Sequence, residues 1–303
     1  GVERSQYVIE NTVSVRQLEC TTAFEGLTDK EKAYAHYIGK ASWEGAKICL
    51  FQCSWEAPAI FELFQTLFHA QATSGQSLAD ACAAAGISAD DVTSFKVYAA
   101  NFLSNLGNYK SFGDSKFVPG CSPAAFRSIL EASAAFKGSE RGTIVKLWNQ
   151  VGNAIFSLEQ TELQLGLETD GVSTYFSANI TKADTELIKR FMEGRGLSPY
   201  NTRAFKLADG SFEIRFASAS PDGAADGKYK AETVEFEGVR VSLVFGDHGA
   251  LMQRVCDNLR KALEHAANDE QRAMLTDYIA SFNGGSIDDH KNGSRHWIRD
   301  KGP

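Results

Sequence analysis

An α+β fold is predicted for these 303 residues, and three observations predict it. Helix signals, with apolar residues three and four apart and recognisable caps, occupy almost all of residues 1–165. Period-two alternation of apolar and polar residues is confined to 166–245. Helical patterning then returns from Asp247 to the end. Elements segregated in this order suit α+β better than a doubly wound sheet, which needs strands and helices in alternation. The organisation expected is a helical part (1–165), a mixed part contributing strands (166–245) and a second helical part (246–303) that continues into segments not present.

Thr28-Asp-Lys-Glu31 has the form of a capping box, in which the Thr oxygen accepts an orphan N–H and the Glu reaches back. The helix it starts should run to about Cys53. Pro58 stands at the next helix start, where a missing N–H costs little, and FELFQTLFHAQ puts Phe61, Phe64, Leu67 and Phe68 along one face. An Ala-rich helix over 76–85 stops at Gly86, a left-handed cap. Ser88 caps the next, which carries Phe95, Val97, Tyr98, Phe102 and Leu106 and should end at Gly107. Ser122-Pro123 opens a helix through about Phe136, and a longer one is expected from about Thr143 to Leu165.

After Gly166, STYFSAN (173–179) alternates and is aromatic and β-branched enough for a strand. Thr181 caps a helix to about Glu193. YNTRAFKLADGSFEIRFASA reads as a hairpin around Asp209-Gly210, a primed-turn signal, and ETVEFEGVRVSLVF (232–245) as a second hairpin with a looser turn at Gly238. Pro221–Lys230 between them is expected to be a mobile surface loop. Three helices follow, in GALMQRVCDNLRKALEHAA, DEQRAMLTDYIASF and SIDDHKNGSRHWIRD.

Composition excludes several functions. Lys and Arg number 31 against 38 Asp and Glu, a net charge of −7 with no long like-charge block, which argues against a nucleic-acid partner. No apolar run approaches the roughly 18 residues needed to span a bilayer, and the first residues do not read as a positive-then-apolar leader. The six cysteines, at 20, 49, 53, 82, 121 and 256, are expected to be reduced, buried thiols of a cytoplasmic protein. Cys49 and Cys53 share a helix face, but no second Cys or His pair lies near them in sequence to complete a zinc site. None of the six histidines makes HExxH. The richest donor cluster, Asp288-Asp289-His290 with His296, spreads around a helix, so a solvated surface is expected there. Phosphate loops and a GxSxG elbow are absent.

One connector stands out. NLGNYKSFGDSKFVP (105–119) joins two helices and carries three aromatic residues, where a short polar link would do. A structural reading has Tyr109, Phe112 and Phe117 anchoring an irregular segment while Lys110 pairs with Asp114. A functional reading has a loop pinned by its aromatics, rigid enough to present Ser111 and neighbouring backbone to a ligand.

This stretch closely resembles its counterpart in the dipeptidyl peptidase III family of zinc-dependent exopeptidases. The likeness extends through QYVIENTVSVRQLECTTAF, SWEAPAIFELFQTLFHAQ, GVSTYFSANIT, LSPYNTRAFK and NGGSIDDHKNGSRHWIRDKGP, in the same order across the chain. The resemblance implies a two-lobed enzyme with a zinc-bearing helical upper lobe and a lower lobe built on a five-stranded β-barrel core. This chain looks like most of the lower lobe: helical, with a β-barrel-like antiparallel core. The family's zinc ligands come from a His-Glu-x-x-Gly-His helix and a later Glu-bearing helix, and neither occurs in 1–303. Zinc is therefore expected in the full-length enzyme and not on this segment, which by itself should be inactive. The implied partners are short peptide substrates and the remainder of the same polypeptide. One substrate-contact region transfers by position: Ser111 to peptide backbone and Phe112 to a substrate side chain, supported by Asn108, Tyr109, Lys110, Gly113 and Asp114. The rival reading is a non-catalytic peptide-binding or adaptor protein.

Overall fold

The computed structural model describes residues 2–14, 16–224 and 227–300. Two units form, each from two stretches of chain: residues 1–16 with 49–174, and residues 17–48 with 175–303. The chain enters helix α1 (Thr21–Glu25) and then α2 (Asp29–Cys53). The capping box at the head of α2 is formed: Thr28 N donates to Glu31 Oε2 (2.8 Å) and Glu31 N to Thr28 Oγ1 (3.3 Å).

The first unit is built on α3 (Ala57–Ser74), α4 (Leu78–Ala84), α5 (Ala89–Asn105), α6 (Pro123–Ala132), α7 (Ala134–Lys137) and α8 (Arg141–Phe156). Its core is aromatic. Phe64 of α3 meets Phe95, Tyr98 and Phe102 of α5 at centroid distances of 5.7, 6.0 and 5.6 Å. Such edge-on pairs add roughly 0.5–1.5 kcal/mol each beyond area burial. The buried stripe of α3 is Ile60, Leu63, Phe64 and Leu67, so the inward face is rotated from the sequence reading and leaves Phe61 and Phe68 partly exposed.

Two helix boundaries differ from expectation by more than a residue or two, both because side chains or neighbours compete for the backbone. The helix opened by Ser122 breaks at Ser133, whose backbone is extended and whose Oγ accepts from Phe136 N, starting α7. The expected helix to Leu165 ends at Phe156, and residues 163–165 instead bond the 105–117 connector.

The second unit adds α9 (Lys182–Gly194), strands β1 (Thr202–Lys206), β2 (Phe212–Ala217), β3 (Glu232–Phe236) and β4 (Val239–Asp247), then α10 (Gly249–Leu263), α11 (Asp269–Gly284) and α12 (Ile287–Arg299). The class is α+β, as predicted. Both hairpins form, and they join through a parallel β2–β4 pair in the order β1-β2-β4-β3. The described strands thus make an open mixed sheet, a loose form of the β-barrel-like antiparallel core that the resemblance implies. Phe212, Ile214, Phe216, Val241, Leu243 and Phe245 are buried, and Phe191 of α9 meets Phe236 edge-on at 5.3 Å. Val255 and Leu259 of α10 pack with Met274 and Leu275 of α11 and Ala41 of α2.

The two turns exchange the chemistry expected of them. At Glu237-Gly238 both residues have positive φ (49° and 82°) and Phe236 pairs with Val239, giving a two-residue primed turn. At Asp209-Gly210 only Gly210 is left-handed (φ 84°), Gly210 N bonds Leu207 O and Leu207 N bonds Ser211 O, a three-residue loop. Residues 173–179 do not form a strand; Phe176 makes a single parallel bridge to Ala204. The expected mobile loop at Pro221–Lys230 carries a Gly223–Lys230 bridge and a buried Tyr229, while residues 225 and 226 lie outside the described residues. The terminal Lys-Gly-Pro likewise lies outside them. All six cysteines are free, but only Cys82, Cys121 and Cys256 are buried; Cys20 and Cys49 are exposed, which corrects the expectation of uniformly buried thiols.

Candidate functional site

The connector after α5 is a miniature hairpin. Leu106 caps the helix in the left-handed region (φ 53°), so the turn falls one residue before the expected Gly107. Gly107 is needed for a different reason: a Cβ there would stand 2.1 Å from Cys53 Sγ. Tyr109 and Lys116 then pair antiparallel, Lys110 N bonds Ser115 O (2.9 Å), and Phe117 N bonds Asn108 O (3.0 Å). A third segment completes the ladder: Lys116 N bonds Leu163 O (2.8 Å) and Leu165 N bonds Asp114 O (2.9 Å). Beyond the hairpin, Val118 N bonds Tyr7 O, and Arg4 Nη2 donates to Pro119 O (2.6 Å).

The aromatics divide between the two readings of this loop. Tyr109 and Phe117 are anchors, 2% and 0% exposed. Phe112 is 95% exposed at the tip, so it anchors nothing. A phenyl ring left in water forgoes about 1.5–3 kcal/mol of burial. The tip Ser111–Asp114 turns through two left-handed residues, Gly113 (φ 94°) and Asp114 (φ 55°). Asp tolerates that region because its short side chain bonds locally. Ser111 is held from behind: its N–H and its hydroxyl both donate to Asn105 Oδ1 (2.8 and 3.0 Å). The hydroxyl oxygen keeps its lone pairs for a further donor. Among the described residues no Lys110–Asp114 ion pair forms.

Beneath the hairpin lies a buried polar cluster that sequence reasoning missed. Asn108, fully buried, donates through Nδ2 to Glu56 Oε1 (2.7 Å) and accepts from Ser54 Oγ (3.1 Å). Glu56 is 2% exposed and precedes α3. Lys116 is 1% exposed, with its ammonium 3.4 Å from Glu162 Oε2. Tyr109 donates its hydroxyl to Glu162 O (3.0 Å). Burial pushes the Lys116 ammonium down, against the pull of the Glu56 and Glu162 carboxylates. Burial pushes the Tyr109 phenol up, with the charges of Glu56 and Glu162 adding to it. Burial likewise raises Cys53, to about 11. An acidic residue just before a proline-marked helix start was the one sequence signal for Glu56.

The remaining sequence candidates are structural. Asp288 pairs with Lys228 (2.9 Å), His296 Nδ1 lies 2.6 Å from Glu270 Oε2, and the His290 ring packs on Tyr278. Among the described residues no three His, Cys, Asp or Glu side chains are grouped so as to hold a metal ion, so the donor set for zinc is not met there. No helix of the described residues is long and apolar enough to cross a membrane. A cavity of about 430 Å³ lies in the second unit, between α9 and β1, and does not include Ser111 or Phe112.

Known proteins resemble this chain along nearly its whole length. Residues 147–303 match the family described as peptidase family M49. Dipeptidyl peptidase 3 of Nematostella vectensis is 41% identical over 312 residues, covering 99% of this chain and 43% of that protein. Dipeptidyl peptidase 3 of Homo sapiens is 41% identical over 307 residues, covering 99% of this chain and 41% of the relative. That of Dictyostelium discoideum is 39% identical over 299 residues, covering 98% and 40%. The chain spans about two fifths of the length of the curated relatives it matches.

Proposed function

The chain belongs to peptidase family M49, and from that premise we propose that it is the lower-lobe part of a zinc-dependent dipeptidyl peptidase that releases dipeptides from the amino end of short peptides. Its own contribution is peptide contact. The observation that carries this reading is Phe112, 95% exposed at the tip of a hairpin whose base is buried and bonded on both sides. An exposed aromatic on a rigid mount offers contact area at little entropic cost. Phe112 supplies apolar contact to a substrate side chain, and the Ser111 oxygen accepts from a peptide N–H. The described residues supply no zinc site, so no step at the ion is assigned to them. The zinc chemistry of the whole enzyme, and the remainder of its cleft, belong to polypeptide outside residues 1–303. The six free thiols are consistent with a cytoplasmic protein.

The test is hydrolysis of a dipeptidyl-naphthylamide with added zinc. The whole protein should turn over, and the 303-residue chain by itself should not. In the whole protein, Phe112→Ala should raise KM about tenfold, the loss of about 1.4 kcal/mol of binding, with kcat little changed. Peptide binding by the whole protein without turnover would favour the adaptor reading instead.

A further inference from the structure

We propose that Glu56 is a positioning residue for peptide contact at Ser111 and Phe112, holding the base of their hairpin through Asn108 and Lys116; this rests on the peptide-contact reading above. The carboxylate precedes α3 but makes no side-chain cap to it. It is directed to the hairpin, where Oε1 accepts from Asn108 Nδ2 at 2.7 Å. Asn108 is where the two hairpin segments close, since its carbonyl accepts from Phe117 N (3.0 Å). Fixing the Asn108 side chain on both its ends, by Glu56 and by Ser54, therefore fixes the register of the hairpin.

The second link is electrostatic. The Lys116 ammonium, on the returning segment and 1% exposed, lies 3.4 Å from Glu162 Oε2, and the Glu56 carboxylate, held beneath the same hairpin by Asn108, adds its charge to that attraction. Glu162 is one-third exposed (34%). Its attraction is weakened by solvent more than that of the buried Glu56. Glu56 thus acts on both segments of the hairpin, one by hydrogen bond and one by charge. Three residues beyond Asn108, at the tip, Ser111 is tied among the described residues only to Asn105, so the orientation of the tip follows from the base.

Trypsin provides a test that does not depend on peptidase activity, because the Lys110–Ser111 bond lies at the tip. Cleavage there requires the hairpin to open and tracks the open population. Glu56→Gln keeps the volume and an acceptor for Asn108 and removes the charge. On the 303-residue chain it should raise cleavage at Lys110–Ser111 about tenfold, with the fragments identified by mass. Asn105→Ala, which removes the acceptor for Ser111, serves as the positive control. Cleavage of Glu56→Gln at the wild-type rate, with Asn105→Ala faster, overturns the proposal. Should Glu56→Gln not fold, Asn108→Ala cuts the hydrogen-bonded link between Glu56 and the hairpin, and unchanged cleavage of that variant overturns the proposal equally.

In the whole protein Glu56→Gln should raise KM for a dipeptidyl-naphthylamide about fivefold while kcat stays within about twofold. A loosened hairpin with unchanged KM would refute the peptide-contact role of Ser111 and Phe112 and leave Glu56 as the hairpin's support. A rigid hairpin in Glu56→Gln would refute the support itself, whatever the kinetics.

Discussion

Lys116 and Arg203 both face carboxylates, one in each unit, and the contrast between them shows how burial sets the worth of an ion pair. Lys116 is 1% exposed, with a single oxygen of Glu162 at 3.4 Å. Arg203 is 21% exposed and grips Asp247 with two hydrogen bonds, at 2.7 and 2.6 Å. The guanidinium fork satisfies its partner fully and retains some water. The ammonium has given up water for a looser contact, so what holds it is the field of two carboxylates in a dry setting. The Arg203–Asp247 arrangement is a clasp between strands; the Lys116 arrangement is a point where removing one member leaves another charge stranded.

The largest effect that would break this contrast is expected from Lys116→Met. It removes a buried cation whose charge offsets those of Glu162 and the buried Glu56, so stability should fall by about 3–5 kcal/mol in urea unfolding. A loss under about 1 kcal/mol would place Lys116 with ordinary exposed pairs. Asp247→Asn is expected to cost less, about 1.5–3 kcal/mol, the range for hydrogen bonds to charged groups. Its pH dependence sharpens the point. Burial works to raise the Asp247 carboxyl, but the hydrogen bonds and charge of Arg203 outweigh it and hold it below the usual carboxylate range. A depressed acid contributes stability above its unfolded value, near 3.9, and loses it as pH falls through the lower folded value. The stability gap between wild type and Asp247→Asn should therefore be constant from pH 7 to about 5 and close below about 4. The smallest expected effect concerns packing at the hairpin's root. Gly107→Ala forces a Cβ onto Cys53 Sγ, which at 2.1 Å cannot be accommodated without movement. A loss of about 1–3 kcal/mol is expected, partly recovered in the double variant with Cys53→Ala, which removes Sγ but leaves a Cβ 2.9 Å from the new one. Failure of that rescue would show that the strain is in the backbone.

Much of this was legible in the residues because it depends on neighbours in sequence. Ser88 and Thr181 cap α5 and α9 through backbone N–H groups three residues on, at Asp91 and Asp184. Both antiparallel hairpins follow from alternation that each strand carries by itself. The aromatic loop was marked by composition, but not the division of labour within it: nothing local separates a buried Tyr109 from an exposed Phe112 three residues later. The same holds for Glu56, whose partner Asn108 is 52 residues away.

The sequence by itself determined where most of the capped helices begin, which segments alternate and which family the chain belongs to, because caps, periods and family resemblance are all read along one dimension. Only the tertiary structure decided that two antiparallel hairpins join through a parallel pair, that residues 163–165 leave the helix to bond Asp114 and Lys116, and that a glutamate before α3 lies under the hairpin at 105–117. The reason is that each of these depends on a backbone group or charge finding a partner far away in sequence, and such choices are made by whichever burial leaves the fewest polar groups unsatisfied.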